Sequence, residues 1–330
     1  MIAERLRFAR PAYEVPLDER YLPVQRLTRY RYHLAHDLAR QKRYARTVAL
    51  YLKASEYAVE PAFSTPFGAT SRHILTEYAS LDESAQLDVA DWTKQLDQVG
   101  RRRLETPQTN AQRVQAIAQR SYPLAECLVA PVNLILSSLL NPIRFLEQQL
   151  ARLDEAIAVQ LASLPAATLL RSVPGLGSVY TAGLLAEIQD VRRFLAGEKR
   201  DREGRLHPKT RADGQAALAK YAGLWWSRAD SGAFQAEDRH LAKSGNMYLH
   251  DYFIEAANSL RQHNAGYAAY YQRKYAESPK HKHWRATVLT ARKLVRLVFK
   301  LLIDQEPYRP PEVRQGHELR HPALSRLSPL

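Results

Sequence analysis

The sequence predicts an all-α, mainly helical protein in which long coiled-coil-like helices precede a second helical domain. Three observations carry this. From Val24 the apolar residues Val24, Leu27, Leu34, Leu38, Ala45, Val48 and Leu52 keep near-heptad spacing. Val132, Leu136, Leu139, Ile143, Leu146, Leu150, Leu153 and Ile157 form a second stripe with alternating steps of four and three. The last regular stretch, about 283 to 304, is apolar at helical spacing and dense in cations. With 330 residues and 45% hydrophobic composition the chain can build two or three real cores. Expected divisions are a linker over 1–23, a helical coiled-coil domain over 24–164, a second helical domain over 165–304 and a proline-rich, disordered tail over 305–330.

Taken in order, residues 3–10 read as a helix end stopped by Pro11, and a long helix is expected from Val24 to about Glu56. Arg31 and Gln41 interrupt its seam. Arg26, Arg29, Arg40, Lys42, Arg43 and Arg46 mark a basic face, either solvated or turned to phosphates. Two or three shorter helices follow to about Arg120, one of them starting near Asp82, and Gly100 precedes the basic run Arg101, Arg102 and Arg103. A second long helical zone covers Leu124–Leu161. Its stripe needs a partner helix, either the Val24 helix folding back or the same helix of another subunit. Asn141–Pro142 is a helix start or a kink inside one longer helix.

After Leu164–Pro165 the composition changes. In LLRSVPGLGSVYTAGLLAEI, residues 169–188, a Pro-Gly-x-Gly turn joins two apolar helical pieces, as in a helix-hairpin-helix motif. Gly175 and Gly177 would let the backbone turn, and with Ser178 at the next helix N-terminus they offer N–H groups to a phosphate. Residues 192–220 read as a charged loop broken by Gly197, Gly204, Pro208 and Gly214. The least helix-like stretch is YAGLWWSRADSGAFQAEDRHLAKSGN, residues 221–246, with two adjacent tryptophans and two Ser-Gly steps. A helix at 248–263 follows, then Tyr267, Tyr270, Tyr271 and Tyr275 at helical spacing, read as core rather than a base-stacking platform. Between Arg273 and Lys300 stand nine Lys or Arg against one acid, Glu277. Arg285, Arg292, Lys293 and Arg296 are therefore expected to bind nucleic acid.

The charge supports that partner. Lys and Arg number 48 against 34 Asp and Glu, a net +14, and phosphate contacts reward such an excess. The single cysteine, Cys127, excludes an intrachain disulfide and a cysteine-based zinc site and fits a reducing cytoplasm. No apolar stretch reads as long enough for a membrane span and the first residues lack a signal-peptide core, so a cytoplasmic protein without a membrane partner is expected.

The order of five segments resembles the C-terminal transposase domain of the insertion sequence 110/116/902 family. They are VPGLGSVYTAGLLAEI at 173–188, RRF at 192–194, KYAGLWWSRADSGAF at 220–234, KSGNMYLHDYFIEAANSL at 243–260 and YYQRKYAE at 270–277. LTRYRYHLAHDLARQK at 27–42 is similar to the family's segment leading into its coiled coil. The resemblance implies DNA transposition directed by a guide (bridge) RNA, a dimer or tetramer, and chemistry divided between a serine and an RNase H-like acidic quartet that holds Mg2+. It places the nucleophile at Ser231, with Ser227 and Ser244 as alternatives. Physically, Gly232 supplies a pliable step beside the hydroxyl, while Arg228, Arg239 and Lys243 bring positive charge for nucleic acid and a developing phosphorane.

The same resemblance implies that the acidic domain is missing, because the opening residues look like those that follow the family's last acid. Asp18, Glu19 and Asp37 are not spaced like the quartet, so no cofactor is expected to bind this chain alone. A non-catalytic DNA- or RNA-binding fragment is the alternative. A structural helix-hairpin-helix protein of DNA repair is a third reading that leaves Ser231 without a role.

Overall fold

A computed structural model describes residues 18–77, 87–100, 106–201, 203–226, 230–231, 234–235, 241–242 and 244–310. The expected helix end at 3–10 and the helix start near Asp82 lie outside these, as do the basic run 101–103 and the tail from 311. Helix α1 (Leu22–Tyr44) opens with Pro23 in its first turn, where the missing N–H costs nothing. It continues through a π-helical stretch, Ala45–Leu50, into the short α2 (Tyr51–Lys53). The wider turn rotates the seam: Ala49 and Leu50 face inward, while Leu52, expected on the apolar side, is exposed. Helices α3 (Ser55–Val59), α4 (Ala69–Glu77), α5 (Val89–Val99) and α6 (Pro107–Arg120) follow.

Helix α7 (Glu126–Ala162) runs unbroken through Pro131 and Pro142, so Asn141–Pro142 is interior to one long helix. Its seam is covered by α1 of the same chain, folded back antiparallel. Arg31 pairs with Asp154 at 2.5 Å and Lys42 with Glu147 at 2.7 Å, while Lys53 Nζ donates to Asn133 Oδ1. Val132, Leu136, Ile143 and Ile157 are buried in that seam, as is Leu140; Leu134, Phe145 and Val159 face outward. One sequence expectation is corrected here. Over 18 residues α7 reaches a mean hydropathy of 1.4, long and apolar enough to cross a membrane by length and composition alone, although part of it is a core element of this fold.

The two long helices join two cores. The distal core gathers Ala45, Leu50, Tyr57, Trp92, Leu96, Val114, Leu136 and Ile143, among others. The second core combines Val24, Ile157 and Leu161 at the near end of the stalk with residues from Leu164 to Leu302. At its centre lies α9 (Ser178–Ile188), buried along eight consecutive residues and linked to α8 (Ala166–Arg171) by the Pro-Gly-x-Gly turn. Around it pack α11 (Met247–His263), α12 (Ala265–Glu277) and α13 (Lys282–Asp304). On α13 Leu294, Val295, Val298, Phe299, Leu301 and Leu302 are buried, each contributing about 1.5–3 kcal/mol of transfer free energy.

The charged region expected to be a loop is more ordered than its glycines suggested. Strands β1 (Glu198–Arg200) and β2 (Leu206–Pro208) pair antiparallel, and α10 (Arg211–Tyr221) starts at a capping box made by Thr210 and Asp213. Gly214 lies inside α10 because a Cβ there would sit 2.5 Å from Cζ of Phe299 and 2.7 Å from Cδ2 of Leu195. It permits close helix packing rather than a turn. The tail expectation also changes at its start, since Tyr308 N donates to Ser172 Oγ at 2.7 Å and Asn264 Nδ2 to the Tyr308 hydroxyl at 3.2 Å.

Candidate active site

The last turn of α9 supplies Glu187, an acid whose side chain is 0% exposed. Such a group costs several kcal/mol unless it is paired and hydrogen-bonded. It is: Arg29 of α1 donates from Nε to Oε1 at 2.7 Å and from Nη2 to Oε2 at 2.8 Å. Asn246 Nδ2 donates to Oε2 at 2.6 Å and also lies 3.1 Å from the Tyr221 hydroxyl. The bond to Glu187 is the main cause holding the Arg29 guanidinium above its ordinary value, and Arg29 lies 4.8 Å from the centre of the Tyr248 ring. Asn246 Oδ1 accepts from the backbone N–H groups of Tyr248 and Leu249, both at 3.0 Å, so the same side chain caps α11.

This hub sits at the neck of the 221–246 stretch. Asn246 N donates to Tyr221 O at 2.7 Å, Ala242 N to Trp225 O at 2.9 Å, and Trp226 bridges Leu241. Gly223 has φ +68° and Gly245 has φ +134°, and a Cβ on Gly245 would lie 2.6 Å from the Gly223 backbone nitrogen. The Ala-Gly-Leu and Ser-Gly-Asn steps are therefore two halves of one crossing. Further out, β3 (Asp230–Ser231) pairs antiparallel with β4 (Phe234–Gln235), Ser231 opposite Phe234. Ser231 is thus the last paired residue of a hairpin strand, with residues 232 and 233 between it and its partner.

Helix α13 meets this neck through Arg292. Its Nη1 donates to Leu224 O at 3.3 Å and its guanidinium carbon lies 5.1 Å from the Trp226 ring centre. Burial, then the neighbouring Arg296, push the Arg292 guanidinium below its ordinary value. Trp225 lies under Lys220, 5.1 Å from ring centre to Nζ, and its buried indole Nε1 has no hydrogen-bond partner among the described residues.

The basic face expected on α13 is not uniform. Arg296 and Lys300 are exposed, but Arg285, Arg292 and Lys293 are half-buried. Lys293 Nζ lies 4.7 Å from the Tyr267 ring and 4.5 Å from Tyr270, and burial followed by Arg273 pushes its ammonium below its ordinary value. Cation–π packing accounts for the half-burial of Lys293 and, on Trp226, of Arg292.

At the α8–α9 turn only Gly175 has a left-handed backbone, φ +97°, and a Cβ there would meet Leu260 Cα at 3.1 Å. Ser259 Oγ donates to Gly175 O at 2.8 Å, fastening the turn to α11. Gly177, with φ −71°, does not need to be glycine for the turn, which corrects that expectation. Gly177 and Ser178 line a cleft with Arg31, Asp154 and Glu155, so a phosphate reaching this helix end would share it with two carboxylates. Arg228, Arg239 and Lys243 lie outside the described residues, as do Ser227 and Gly232. Ser244 is exposed beside the neck.

Among the described residues no group of three or more His, Cys, Asp or Glu side chains is placed to hold a metal ion. Asp18 caps the turn before α1 and pairs with Arg20, and Asp37 pairs with Arg40. These acids do not fit Mg2+. Sequence reasoning also missed Glu187 and its partners; the available signal was one acid inside the otherwise uncharged helix SVYTAGLLAEI.

Comparison with curated proteins gives no significant match. The family described as Transposase IS116/IS110/IS902 matches residues 204–272, from the turn before β2 through α10, the glycine neck, the Ser231 hairpin and α11 into α12. The segment that builds the neck and carries the Ser231 hairpin is therefore the part of the chain that is similar to the IS116/IS110/IS902 transposase family.

Proposed function

We propose that the chain acts in DNA transposition through Ser231. Its Oγ attacks a DNA phosphorus, an Oγ–P ester forms as the bond to a deoxyribose oxygen breaks, and the serine proton passes to solvent. The observation that carries this reading is the placement of Ser231 at the end of a hairpin inside the matched segment, rooted on a neck that also touches Arg292. Arg292 and Arg296 make no ion pair with a described carboxylate, and their charge, with that of Arg228, Arg239 and Lys243, is available to a pentacoordinate phosphate. Guide-RNA direction, a homo-oligomer, the α8–α9 turn as a nucleic-acid contact and a cytoplasmic setting belong to the same proposal.

A second reading, binding without chemistry, is favoured by the unsuitability of the described acids for Mg2+. One experiment separates the two. The full chain is incubated with DNA, Mg2+ and an acidic domain of the family supplied in trans, and denaturing gels with peptide mapping read covalent protein–DNA adduct. The expected result is an adduct at Ser231 that Ser231→Ala abolishes while DNA affinity stays within about twofold, since removing one hydroxyl leaves the phosphate contacts in place. An adduct that survives Ser231→Ala overturns the assignment. Binding without any adduct supports the second reading.

A further inference from the structure

The corner where α12 hands over to α13 combines features that neither the neck nor the core uses. Trp284, in the first turn of α13, is 50% exposed, and Tyr275, in the last turn of α12, is 40% exposed. An indole of that size is usually buried unless its face has a partner. Lys282 Nζ lies 5.8 Å from the Tyr275 ring centre, and Lys280 and Lys282 are both exposed. The nearest acid along the chain, Glu277, is already shared by Lys274 at 2.5 Å and Arg273 at 3.7 Å. From Ser278 to Ile303 there are seven Lys or Arg and no Asp or Glu. Beneath the surface the corner is firm: Tyr271 is buried, its hydroxyl 2.6 Å from His283 Nδ1, its ring 6.0 Å from Tyr275 and 5.0 Å from the Arg261 guanidinium.

We propose that this corner binds single-stranded DNA, with a base stacked on Trp284 and a second on Tyr275, and with Lys280 and Lys282 on the flanking phosphates. Exposed rings set among unneutralised cations suit a strand whose base faces are free, whereas a duplex keeps those faces stacked inside and offers only its backbone. DNA rather than RNA is the occupant because α13 continues from this corner to the neck of the Ser231 hairpin. Trp284 and Arg292 are eight residues apart on one helix, about 12 Å along its axis. A strand lying on Trp284 is thus within a few nucleotides of the hairpin that is proposed to cut it. This inference rests on the proposed function for its choice of DNA.

The test measures binding of the full chain to a mixed-sequence single-stranded DNA, the same sequence as single-stranded RNA, and a duplex of equal length, by fluorescence anisotropy across a salt series. Trp284→Ala is expected to weaken single-stranded DNA binding about tenfold or more while leaving the duplex and the salt slope unchanged, and Trp284→Phe to keep most of the affinity. Lys280→Ala with Lys282→Ala is expected to reduce the salt slope by about 1.4, near 0.7 for each lost contact. Equal losses on duplex and single strand, or no loss with Trp284→Ala, overturn the stacking site. A Trp284-dependent preference for RNA overturns the choice of DNA. Failure of every nucleic acid to bind sinks the transposition reading itself, whereas duplex binding indifferent to Trp284 removes this inference alone.

Discussion

The two cores solve the same packing problem with different materials. The distal core is lined by small residues, Ala45, Ala49, Ala54, Ala58, Ala62 and Ala111, which let helices approach around Trp92 and Leu96. Its rim leaves Tyr44, Tyr51, Leu52, Val59 and Tyr122 exposed. The core around α9 instead uses glycine where backbones or rings touch, and its buried acid Glu187 is held by Arg29 and Asn246, where the distal core buries the cation Lys53 against Leu75 O and Asn133. Only the second carries the crossing of Gly223 and Gly245 that closes the neck. The difference teaches that glycine contacts and the Glu187 hub fix backbone positions at the neck, while the distal core draws its helices together on small residues around Trp92.

If the two cores are separable, the largest effect should come from Trp92→Ala. Removing this fully buried ring should destabilise the distal core by about 4 kcal/mol. Calorimetry should then show an early transition while the α9 core melts at its original temperature; a single shifted transition would make the cores one cooperative unit. Next comes Gly245→Val at the neck, which forces a Cβ against the Gly223 backbone at a φ that β-branched residues avoid. A loss of about 3 kcal/mol is expected from the later transition only. Equal stability of the variant would show that the glycine crossing is not required.

The smallest effect sharpens the electrostatic side of the contrast. Burial first, and Asp251 one helical turn away second, raise the Glu255 carboxyl above its ordinary value. The folded chain therefore holds that proton more tightly than the unfolded chain, and the charged form opposes folding at neutral pH. Replacing Glu255 by Gln should stabilise by about 0.3 kcal/mol at pH 7. The gain should fade as pH drops through the raised carboxylate range, because the native acid is then protonated in both states. A gain that grows on acidification would reverse the sign of this account.

Much of the scaffold was legible because it depends on period. Both long helices, the aromatic stripe on α12 with Tyr267 and Tyr271 in the core, and α13 follow from apolar spacing alone, whereas spacing left the partner of α7 open between the fold-back helix and another subunit. What failed were features in which one residue answers to a distant one. Gly214 reads as a breaker until Phe299 lies across it, and Leu52 reads as seam until the π-helical stretch rotates it outward. Spacing along the helix likewise does not show that Arg292 lies against Trp226, or Lys293 against Tyr267 and Tyr270. At the candidate site the sequence singled out the stretch, since two tryptophans and two Ser-Gly steps are unlike helix filler, while Ser231 itself came from the resemblance to the transposase family. It could not show that Gly223 and Gly245 meet, because their contact spans 22 positions.

That meeting separates two properties that are usually tied. With Gly223 and Gly245 fixing the ends, residues inserted beyond the Trp226–Leu241 bridge would add closure entropy only slowly, about 0.6 kcal/mol for each doubling of a flexible loop. Lengthening or shortening the excursion would therefore change how far Ser231 reaches while hardly altering the stability of the domain below. The crossing of two glycines works as a hem, leaving the cut of the cloth beyond it free to follow whatever target geometry selection imposes.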